Sequence, residues 1–365
     1  MSAPRKVAVI GAGIGQQHLA AYRNLPEHFS VAILCDIDLD RAKVVADGDT
    51  TISLETDFQA VLDNPEIDLI DICLPPHLHF ETSMAALKSG KHVVCEKPLV
   101  NSLRDADLLA KQAERCGRIL FPVFQYRYGK ATAQLRALIN AGLAGKPLVA
   151  SIETHWNREK DYYAVDWRGT WAGEQGGAVL GHAIHNHDLL CAFFGPIKRL
   201  SAFATTRVND IEVEDCASIS FEMANGALAS SSITLGAAQD TTRLRFVFDN
   251  LTAESGSLPY APAEDEWHFM ARGDVSQSQI DACLAAVQDV PAGFTGFLAA
   301  LANRLDCGGD GNGSNGGADG GTAVTVEDGR HSLELVSAIY HAVRTSSVVD
   351  LPLDSDSPLY EGWTP

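Results

Sequence analysis

The chain has 365 residues, of which 47 are acidic and 28 are basic, so its formal net charge at pH 7 is -19. Nucleic acids and anionic membranes bind proteins through clustered Lys and Arg, and this charge balance argues against both as partners. A chain of this length predicts two domains, each with its own core. Its eight cysteines are scattered, with no CxxC pair, which indicates reduced thiols in a cytoplasmic protein. No apolar segment long enough for secretion or membrane insertion precedes the first predicted strand.

A glycine-rich turn follows the first predicted strand, Lys6 to Ile10, and leads into a helix that begins near Gln16. Glycine lets the backbone bend sharply and approach a pyrophosphate, which the positive end of the helix dipole attracts. The usual fingerprint has its third glycine at the position of Gln16, so this turn is one residue tighter or differently shaped. The residues predicted to bind a dinucleotide here are Gly11, Gly13, Ile14 and Gly15.

A second predicted strand, Ser30 to Cys35, ends at Asp36. A carboxylate at this distance from the glycine turn accepts hydrogen bonds from the ribose hydroxyls of the adenosine and repels a ribose phosphate. The first basic side chain beyond it is Arg41, so NAD is favoured over NADP. The alternative for Asp36 is an ordinary turn residue at the end of a strand.

Strands and helices alternate through the first third of the chain. After Asp36, strands are predicted near residues 51–53, 67–74, 92–95 and 119–124, with helices near 39–46, 57–62, 80–89 and 102–115. This alternation predicts an α/β fold, a Rossmann domain with a doubly wound parallel sheet over residues 1–124, with its ligand at the carboxyl edge of the sheet. The predicted strand His92 to Cys95 runs into Glu96-Lys97-Pro98. A lysine at this edge can serve as a catalytic residue. The alternative is that the Glu-Lys pair before proline is only a solvated strand end.

Beyond Tyr128 the pattern changes to segments that alternate apolar and polar residues, the period of antiparallel strands with one covered face. The strands are predicted near residues 148–155, 198–206, 216–223, 227–235, 244–249, 267–270 and 349–353, with helices near 132–141 and 326–344. Residues 125–365 are therefore predicted to form an α+β domain with a large, mostly antiparallel open sheet that binds substrate and a partner subunit. We expect a homodimer or a homotetramer.

The segment 308–321 consists almost wholly of Gly, Asp and Asn and is predicted to be a flexible loop. A calcium loop is the alternative, because Asp310, Asn312 and Ser314 alternate. It is rejected because Asn315 and Gly321 stand where such a loop needs glycine and glutamate.

A histidine cluster follows the glycine pair Gly176-Gly177, in a predicted helix that continues to Phe194. Spacings of three place His182, His185 and Asp188 near one helix face. They can form a hydrogen-bonded polar face, ligate a metal or serve in acid/base catalysis. No further metal ligand stands at a recognised spacing, so no metal is predicted, and acid/base catalysis is favoured because imidazole exchanges protons near neutral pH.

Together these motifs resemble the glucose-fructose oxidoreductase, inositol dehydrogenase and MocA (Gfo/Idh/MocA) family, over nearly the whole chain. The resemblance rests on the glycine turn, Asp36, Leu74-Pro75 with His79, Glu96-Lys97-Pro98, Tyr126-Arg127-Tyr128, Trp167-Arg168, the Gly176 to Asp188 segment and Val349 to Leu353. It implies an N-terminal Rossmann domain, a C-terminal domain with a large open sheet, a bound nicotinamide cofactor, and oxidation or reduction of a sugar, polyol or related hydroxy compound. The cofactor site it implies also includes Leu74, Pro75, His79, Glu96 and Lys97.

By position, the resemblance makes Lys97 and His185 the catalytic residues. Many members have an aspartate four residues before this histidine, where this chain has Gly181. His182, Asp188 or a tyrosine of Asp161-Tyr162-Tyr163 is then expected to take its place. The residues expected to line the substrate cleft are Arg127, Tyr163, Trp167 and Arg168, with packing and ion pairing as their alternative. Two other functions remain open, an NAD-dependent glycosidase and a sensor that binds dinucleotide and sugar without turnover.

Overall fold

Residues 3–307 and 323–363 are described by the structure, a computed structural model, and the predicted loop 308–321 lies outside them. The chain divides into two compact units, which we call the first and the second unit. The first comprises Met1–Val123 and Phe294–His331, and the second comprises Phe124–Gly293 and Ser332–Pro365. The predicted division into 1–124 and 125–365 stays a prediction, and the compact units depart from it by placing 294–331 with the N-terminal residues.

The first unit contains a six-stranded sheet in the order β3-β2-β1-β4-β5-β6, and every strand pair in it is parallel. Its strands are β1 (Arg5–Ile10), β2 (Phe29–Cys35), β3 (Ser53–Glu55), β4 (Leu69–Ile72), β5 (His92–Cys95) and β6 (Leu120–Pro122). The helices between them are α1 (Gly15–Arg23), α2 (Leu39–Ala46), α3 (Phe58–Asp63), α4 (His79–Lys88) and α5 (Leu103–Cys116). The predicted Rossmann sheet is confirmed.

The carboxyl ends of parallel strands meet at one edge of a sheet, where ligands bind in folds of this class. The glycine turn follows β1, Asp36 follows β2, Leu74 lies just beyond β4, and Glu96 follows β5. Helix starts are fixed locally, since the Asp38 side chain accepts hydrogen bonds from two amides of α2 and Ser102 accepts one from α5. The sheet thus brings all the predicted nucleotide-binding segments to the same edge.

The second unit contains an eight-stranded sheet in the order β13-β12-β11-β7-β10-β9-β8-β14, antiparallel except for the β7–β10 pair. Its strands are β7 (Pro147–Asn157), β8 (Ile197–Thr205), β9 (Cys216–Met223), β10 (Leu228–Thr234), β11 (Gly236–Phe248), β12 (Leu251–Glu254), β13 (His268–Ala271) and β14 (Val349–Asp350). Its helices are α6 (Lys130–Asn140), a π-helical segment (Val179–Ala183), α7 (Ile184–Phe194) and α8 (Gln277–Ala286). Two further helices are α9 (Gly293–Asp306) and α10 (Val326–Thr345).

One face of this second sheet is covered by α7. The His187 ring packs against Phe221 of β9 with 5.6 Å between ring centroids, and Phe193 packs against Phe246 of β11 at the same distance. On the strands, buried and exposed residues alternate, and Phe203 of β8 is 77% exposed in the single chain. The predicted mostly antiparallel sheet is confirmed, while the expected homo-oligomer stays a prediction.

Several elements differ from the sequence prediction. The helices α8 and α9 and the strand β12 were not predicted, β11 is longer than the predicted 244–249, and β14 is shorter than 349–353. The predicted helix after Gly177 is present, but its first turns are π-helical. Within residues 3–307 and 323–363, no helix combines the length and the apolar character that crossing a bilayer requires.

Candidate active site

The glycine turn of the first unit is shaped by close contact with the end of β4. Gly11 has a φ of +100°, and a Cβ at this residue would lie 2.5 Å from the carbonyl oxygen of Cys73. A Cβ at Gly15 would lie 3.0 Å from Val9, whereas one at Gly13 would meet open space. Gly11 is therefore required by the fold itself, and Gly13 leaves the turn open on the side where a pyrophosphate would approach.

Asp36 is buried and holds the turn. Its Oδ2 accepts a hydrogen bond of 2.7 Å from the Ala12 amide, and its Oδ1 accepts bonds from the Asp38 amide and the Arg41 guanidinium at 2.8 and 2.9 Å. Burial alone would raise the pKa of Asp36, but these donors lower it below its usual value. The carboxylate is ionised at neutral pH, as recognition of ribose hydroxyls requires.

His79 joins the loops that follow β4 and β5. This fully buried ring places Nδ1 2.7 Å from the carbonyl oxygen of Pro98 and Nε2 2.7 Å from that of Leu74. Burial lowers the pKa of His79 despite these two acceptors. Pro75 precedes the short 3-10 helix Pro76–Leu78 that leads into α4. The residues predicted around the cofactor are thereby tied together at the sheet edge.

Lys97 lies directly after β5, beside a buried carboxylate. Its side chain is partly exposed, and its backbone amide donates to Oε2 of Glu96 at 3.0 Å. The other Glu96 oxygen, Oε1, lies 3.0 Å from Nε2 of His18, and Nδ1 of His18 lies 2.8 Å from Oδ2 of Asp71. Sequence reasoning missed His18 and Asp71. The available signal was a polar residue on the apolar face of α1 and another within the buried run Leu69–Ile72.

His185, in the second unit, occupies the first turn of α7. Its ring stacks on Tyr126 with 4.5 Å between centroids and meets the Phe124 ring edge-on at 6.0 Å. The ring is almost completely buried. These two aromatic contacts fix the plane of the imidazole. A fixed ring plane is what a residue needs if it is to exchange a proton with a group at a defined position.

Asp188, one turn further along α7, forms a bidentate ion pair with Arg127. The Arg127 Nε and Nη2 atoms donate to the two carboxylate oxygens at 2.7 and 2.6 Å, and both side chains are buried. A pair of this geometry is strong and directional. The structure thus gives Arg127 the ion-pairing role that was its alternative, and a place for it in the substrate cleft stays a prediction.

His182 lies among aromatic and basic side chains of the second unit. Its Nε2 is 3.4 Å from the Tyr162 hydroxyl oxygen, and the Trp156 ring meets it edge-on with 5.2 Å between centroids. The Arg168 guanidinium lies 3.9 Å from the centroid of Tyr162 and 4.7 Å from that of Trp167. Three predicted substrate residues, Tyr163, Trp167 and Arg168, therefore belong to one cluster, because Tyr163 packs edge-on against Tyr162 at 5.0 Å.

Gly181 leaves room beside a carboxylate. A Cβ at this position would approach Oε1 of Glu174 at 3.8 Å. Glu174 is buried, its Oε2 accepts a hydrogen bond of 2.7 Å from the Gly169 amide, and its Oε1 lies 3.8 Å from Nη1 of Arg168. Sequence reasoning did not select Glu174, because it lies seven residues before Gly181 and outside the predicted helix.

Two parts of the chain match known protein families. Residues 5–124 match the model of an oxidoreductase family with an NAD-binding Rossmann fold, and residues 132–254 match the GFO/IDH/MocA C-terminal domain. Together the two matches cover more than half of the chain.

Three curated relatives illustrate the similarity. An uncharacterized oxidoreductase of Synechocystis is 29% identical over 249 residues, the D-glucoside 3-dehydrogenase of Escherichia coli is 31% identical over 151 residues, and the levoglucosan dehydrogenase of Pseudarthrobacter phenanthrenivorans is 26% identical over 214 residues. These alignments include 62%, 41% and 55% of this chain. They span 65%, 43% and 54% of the relatives' own lengths, less than two thirds in each case.

Solved structures show the same fold over more of the chain. The WlbA dehydrogenase of Bordetella pertussis, in complex with NADH and UDP-GlcNAcA, has a TM-score of 0.80 and 24% identity, covering 96% of this chain and 100% of that one. A levoglucosan dehydrogenase in complex with NADH has a TM-score of 0.76 and 20% identity, with the same two coverages. With both domain models matched in order along one chain, this protein belongs to the Gfo/Idh/MocA family of oxidoreductases and carries the family's NAD-binding Rossmann domain.

Proposed function

We propose that this protein is an NAD-dependent dehydrogenase that transfers hydride between the nicotinamide and a hydroxyl-bearing or carbonyl carbon of a sugar, polyol or related compound. The observation that carries the proposal is the sheet edge of the first unit. There the open glycine turn, the ionised Asp36 and Lys97 with its buried neighbour Glu96 follow β1, β2 and β5. Two of the relatives named above are a D-glucoside 3-dehydrogenase and a levoglucosan dehydrogenase, which supports a carbohydrate substrate.

The residues at this edge suit NAD. The turn at Gly11 to Gly15 would receive the pyrophosphate at the start of α1, and Asp36 would accept the adenosine ribose hydroxyls. His79, Leu74 and Pro75 shape the adjoining loops. When bound, NAD supplies a ring that accepts or returns hydride.

The protein's own part is placement and proton transfer. We assign Lys97 to hydrogen-bond the reacting oxygen of the substrate and His185 to take its proton during oxidation or return it during reduction. Stacking on Tyr126 holds the His185 ring in one plane. The substrate would contact Tyr163, Trp167 and Arg168. Aromatic rings can pack against the faces of sugars, and the Arg168 guanidinium lies over the Trp167 ring. Arg127 and Asp188 instead anchor α7 through their buried ion pair.

We further propose that the substrate is a small molecule handled in the cytoplasm by a homodimer or homotetramer. The exposed outer face of the second sheet supports self-association. Light scattering after gel filtration measures the oligomer size, and a monomer at micromolar concentration would contradict this part of the proposal.

A panel of sugars, polyols and their acids, incubated with NAD and the purified protein, tests the function through NADH absorbance. At least one compound should give sustained turnover that the Lys97→Ala variant lacks. Net hydrolysis of glycosides without NADH accumulation would instead indicate the glycosidase alternative, and binding of dinucleotide and sugar without any turnover would indicate a sensor. The relatives named above are called dehydrogenases or an oxidoreductase, which supports oxidation over both alternatives.

A further inference from the structure

A buried histidine joins three elements of the first unit beneath the proposed cofactor site. His18, on α1, is fully buried, and both of its ring nitrogens face carboxylates, Asp71 on β4 and Glu96 after β5. A neutral imidazole carries one N–H and can donate to one of these groups, whereas the imidazolium donates to both. Burial alone would lower the pKa of His18, but the adjacent Asp71 carboxylate holds it well above its usual value. The protonated ring, which can donate to both carboxylates, is therefore favoured.

Hydrogen bonds engage all four oxygens of the two carboxylates. Asp71 accepts from His18 through Oδ2 and from the Cys73 thiol through Oδ1, at 3.6 Å. Glu96 accepts from His18 through Oε1 and from the Lys97 amide through Oε2. Burial raises the pKa of Cys73 to about 12, so its thiol keeps the proton that it donates. Each carboxylate is thus held through both of its oxygens, and His18 links the two.

We propose that His18 is a positioning residue which, by holding Glu96, fixes the backbone of Lys97 at the sheet edge. The inference rests on the proposed function for its catalytic meaning, but the contacts themselves do not depend on a substrate. Without the His18–Glu96 bond, the buried Glu96 carboxylate would have one hydrogen-bond donor fewer. A buried carboxylate that loses a donor moves or takes up a proton. Either change releases the Lys97 amide from its acceptor.

Two substitutions separate the two contacts of the ring. The amide nitrogen of glutamine reaches the position of Nε2 and can donate to Glu96, whereas that of asparagine reaches the position of Nδ1 and can donate to Asp71. Both remove the positive charge and one buried hydrogen bond, so both should destabilise the fold to a similar extent. Only His18→Asn should free Lys97, and the exposed His331→Gln serves as the matched control.

Hydrogen exchange at the Lys97 amide, measured on the full chain without substrate, gives the first result. We expect exchange in His18→Asn to be faster than in His18→Gln by roughly tenfold or more, because exchange follows the opening of local hydrogen bonds. Equal exchange in the two variants, or faster exchange in His18→Gln, would overturn the proposal. If neither variant is soluble, Glu96→Gln must accelerate exchange at Lys97 more than Asp71→Asn does, and the reverse order would also overturn it.

Turnover then links the result to catalysis. With a substrate from the panel, His18→Asn should lower kcat more than His18→Gln does, while the KM for NAD changes little in both. Equal kcat values would contradict a positioning role. If no compound is oxidised by the unaltered protein, the proposed function fails, and the exchange experiment still decides whether His18 positions Lys97.

Discussion

The Arg41 guanidinium lies 2.9 Å from Oδ1 of Asp36, so the first basic residue after β2 binds the carboxylate that is proposed to exclude a ribose phosphate. Arg41 is about half exposed, whereas Asp36 is buried. In the sequence, Arg41 stands five residues beyond Asp36 and was not expected to take part in choosing between NAD and NADP. In the structure it is bound by Asp36, the residue proposed to select NAD.

Removing this carboxylate should change the choice of cofactor. We expect Asp36→Ala to weaken NAD binding by roughly 10- to 100-fold, the range for a lost hydrogen bond to a charged group, and to improve NADP binding because Arg41 is released. In the double variant Asp36→Ala, Arg41→Ala, the affinity for NADP should no longer be improved, whereas the affinity for NAD should stay as weak as in Asp36→Ala. Titration of both dinucleotides by fluorescence measures this, and tighter binding of NADP than NAD by the unaltered protein would refute the assignment.

The proposed proton-handling pair gives a second prediction. Lys97→Ala and His185→Ala should each reduce kcat by roughly 100-fold or more, the scale for loss of a positioned acid or base, with NAD affinity nearly unchanged. The double variant should lose less than the product of the two effects, because both residues are proposed to act on the same hydroxyl group of the substrate. Lys91→Ala is a matched control, since Lys91 donates to the carbonyl of Asn64 away from the sheet edge. Full activity in Lys97→Ala would disprove the site.

Some of this site could be predicted because its signals are local. The glycine turn, Asp36 and Glu96-Lys97 each follow a short apolar strand, and parallel strands bring their carboxyl ends together whatever lies between them. The three-residue spacing of His182, His185 and Asp188 likewise indicated one helical segment, although it did not reveal the π-helical turns at Val179–Ala183.

The partners of buried charges could not be predicted, because nothing local specifies them. His18 meets carboxylates 53 and 78 residues away, and Arg127 meets Asp188 61 residues away. The first half of β11 escaped prediction for a related reason. Residues 236–243 are mostly polar or small and show no apolar alternation, and they extend the strand because Gly236 and residues 241–243, on either side of an irregularity, pair with β7.

The space at Gly181 leads to a third prediction. The Glu174 Oε1 lies 3.8 Å from where a Cβ at Gly181 would be, the position that many family members fill with an aspartate, and Tyr162 lies beside His182. We expect Glu174→Gln to lower kcat by about tenfold, less than the roughly 100-fold for a group that itself transfers the proton, and Tyr162→Phe to have a smaller effect. The variant His182→Ala tests whether His182, rather than Glu174, replaces the missing aspartate. A loss as large as that of His185→Ala, with Glu174→Gln nearly silent, would assign the missing role to His182 instead.

The ion pair of Arg127 and Asp188 should matter more for stability than for chemistry. Asp188→Ala leaves a buried guanidinium without its carboxylate, and breaking a buried pair in this way costs about 3–5 kcal/mol. Urea unfolding of Asp188→Ala and of the double variant Arg127→Met, Asp188→Leu measures it. The double variant should recover much of the loss, since it removes both charges. A single variant as stable as the unaltered protein would show that the pair does not anchor α7.

A last prediction concerns the pH dependence of stability and rests on Glu214, a buried acid that contacts the chain just before the histidines of α7. The Glu214 carboxylate accepts hydrogen bonds from the Gly177 and Val179 amides at 3.1 and 2.9 Å and from the Tyr340 hydroxyl at 3.0 Å. A Cβ at Gly177 would lie 1.8 Å from the Glu214 carbonyl oxygen, so the two segments touch. Burial raises the pKa of Glu214 to about 7 despite these donors. The folded protein therefore binds this proton more tightly than the unfolded chain does.

It follows that Glu214 contributes stability at pH values below its unfolded pKa, and that this contribution is lost as the pH rises through about 7. The full shift from 4.5 to about 7 corresponds to about 3 kcal/mol. Glu214→Gln cannot ionise, so its free energy of unfolding should fall less between pH 5 and pH 8 than that of the unaltered protein. At pH 5 the variant should be the less stable of the two, because an amide nitrogen cannot accept the bond from Gly177. Urea unfolding at several pH values, with the exposed Glu266→Gln as control, tests this, and parallel pH profiles for Glu214→Gln and the unaltered protein would show that Glu214 does not titrate in this range.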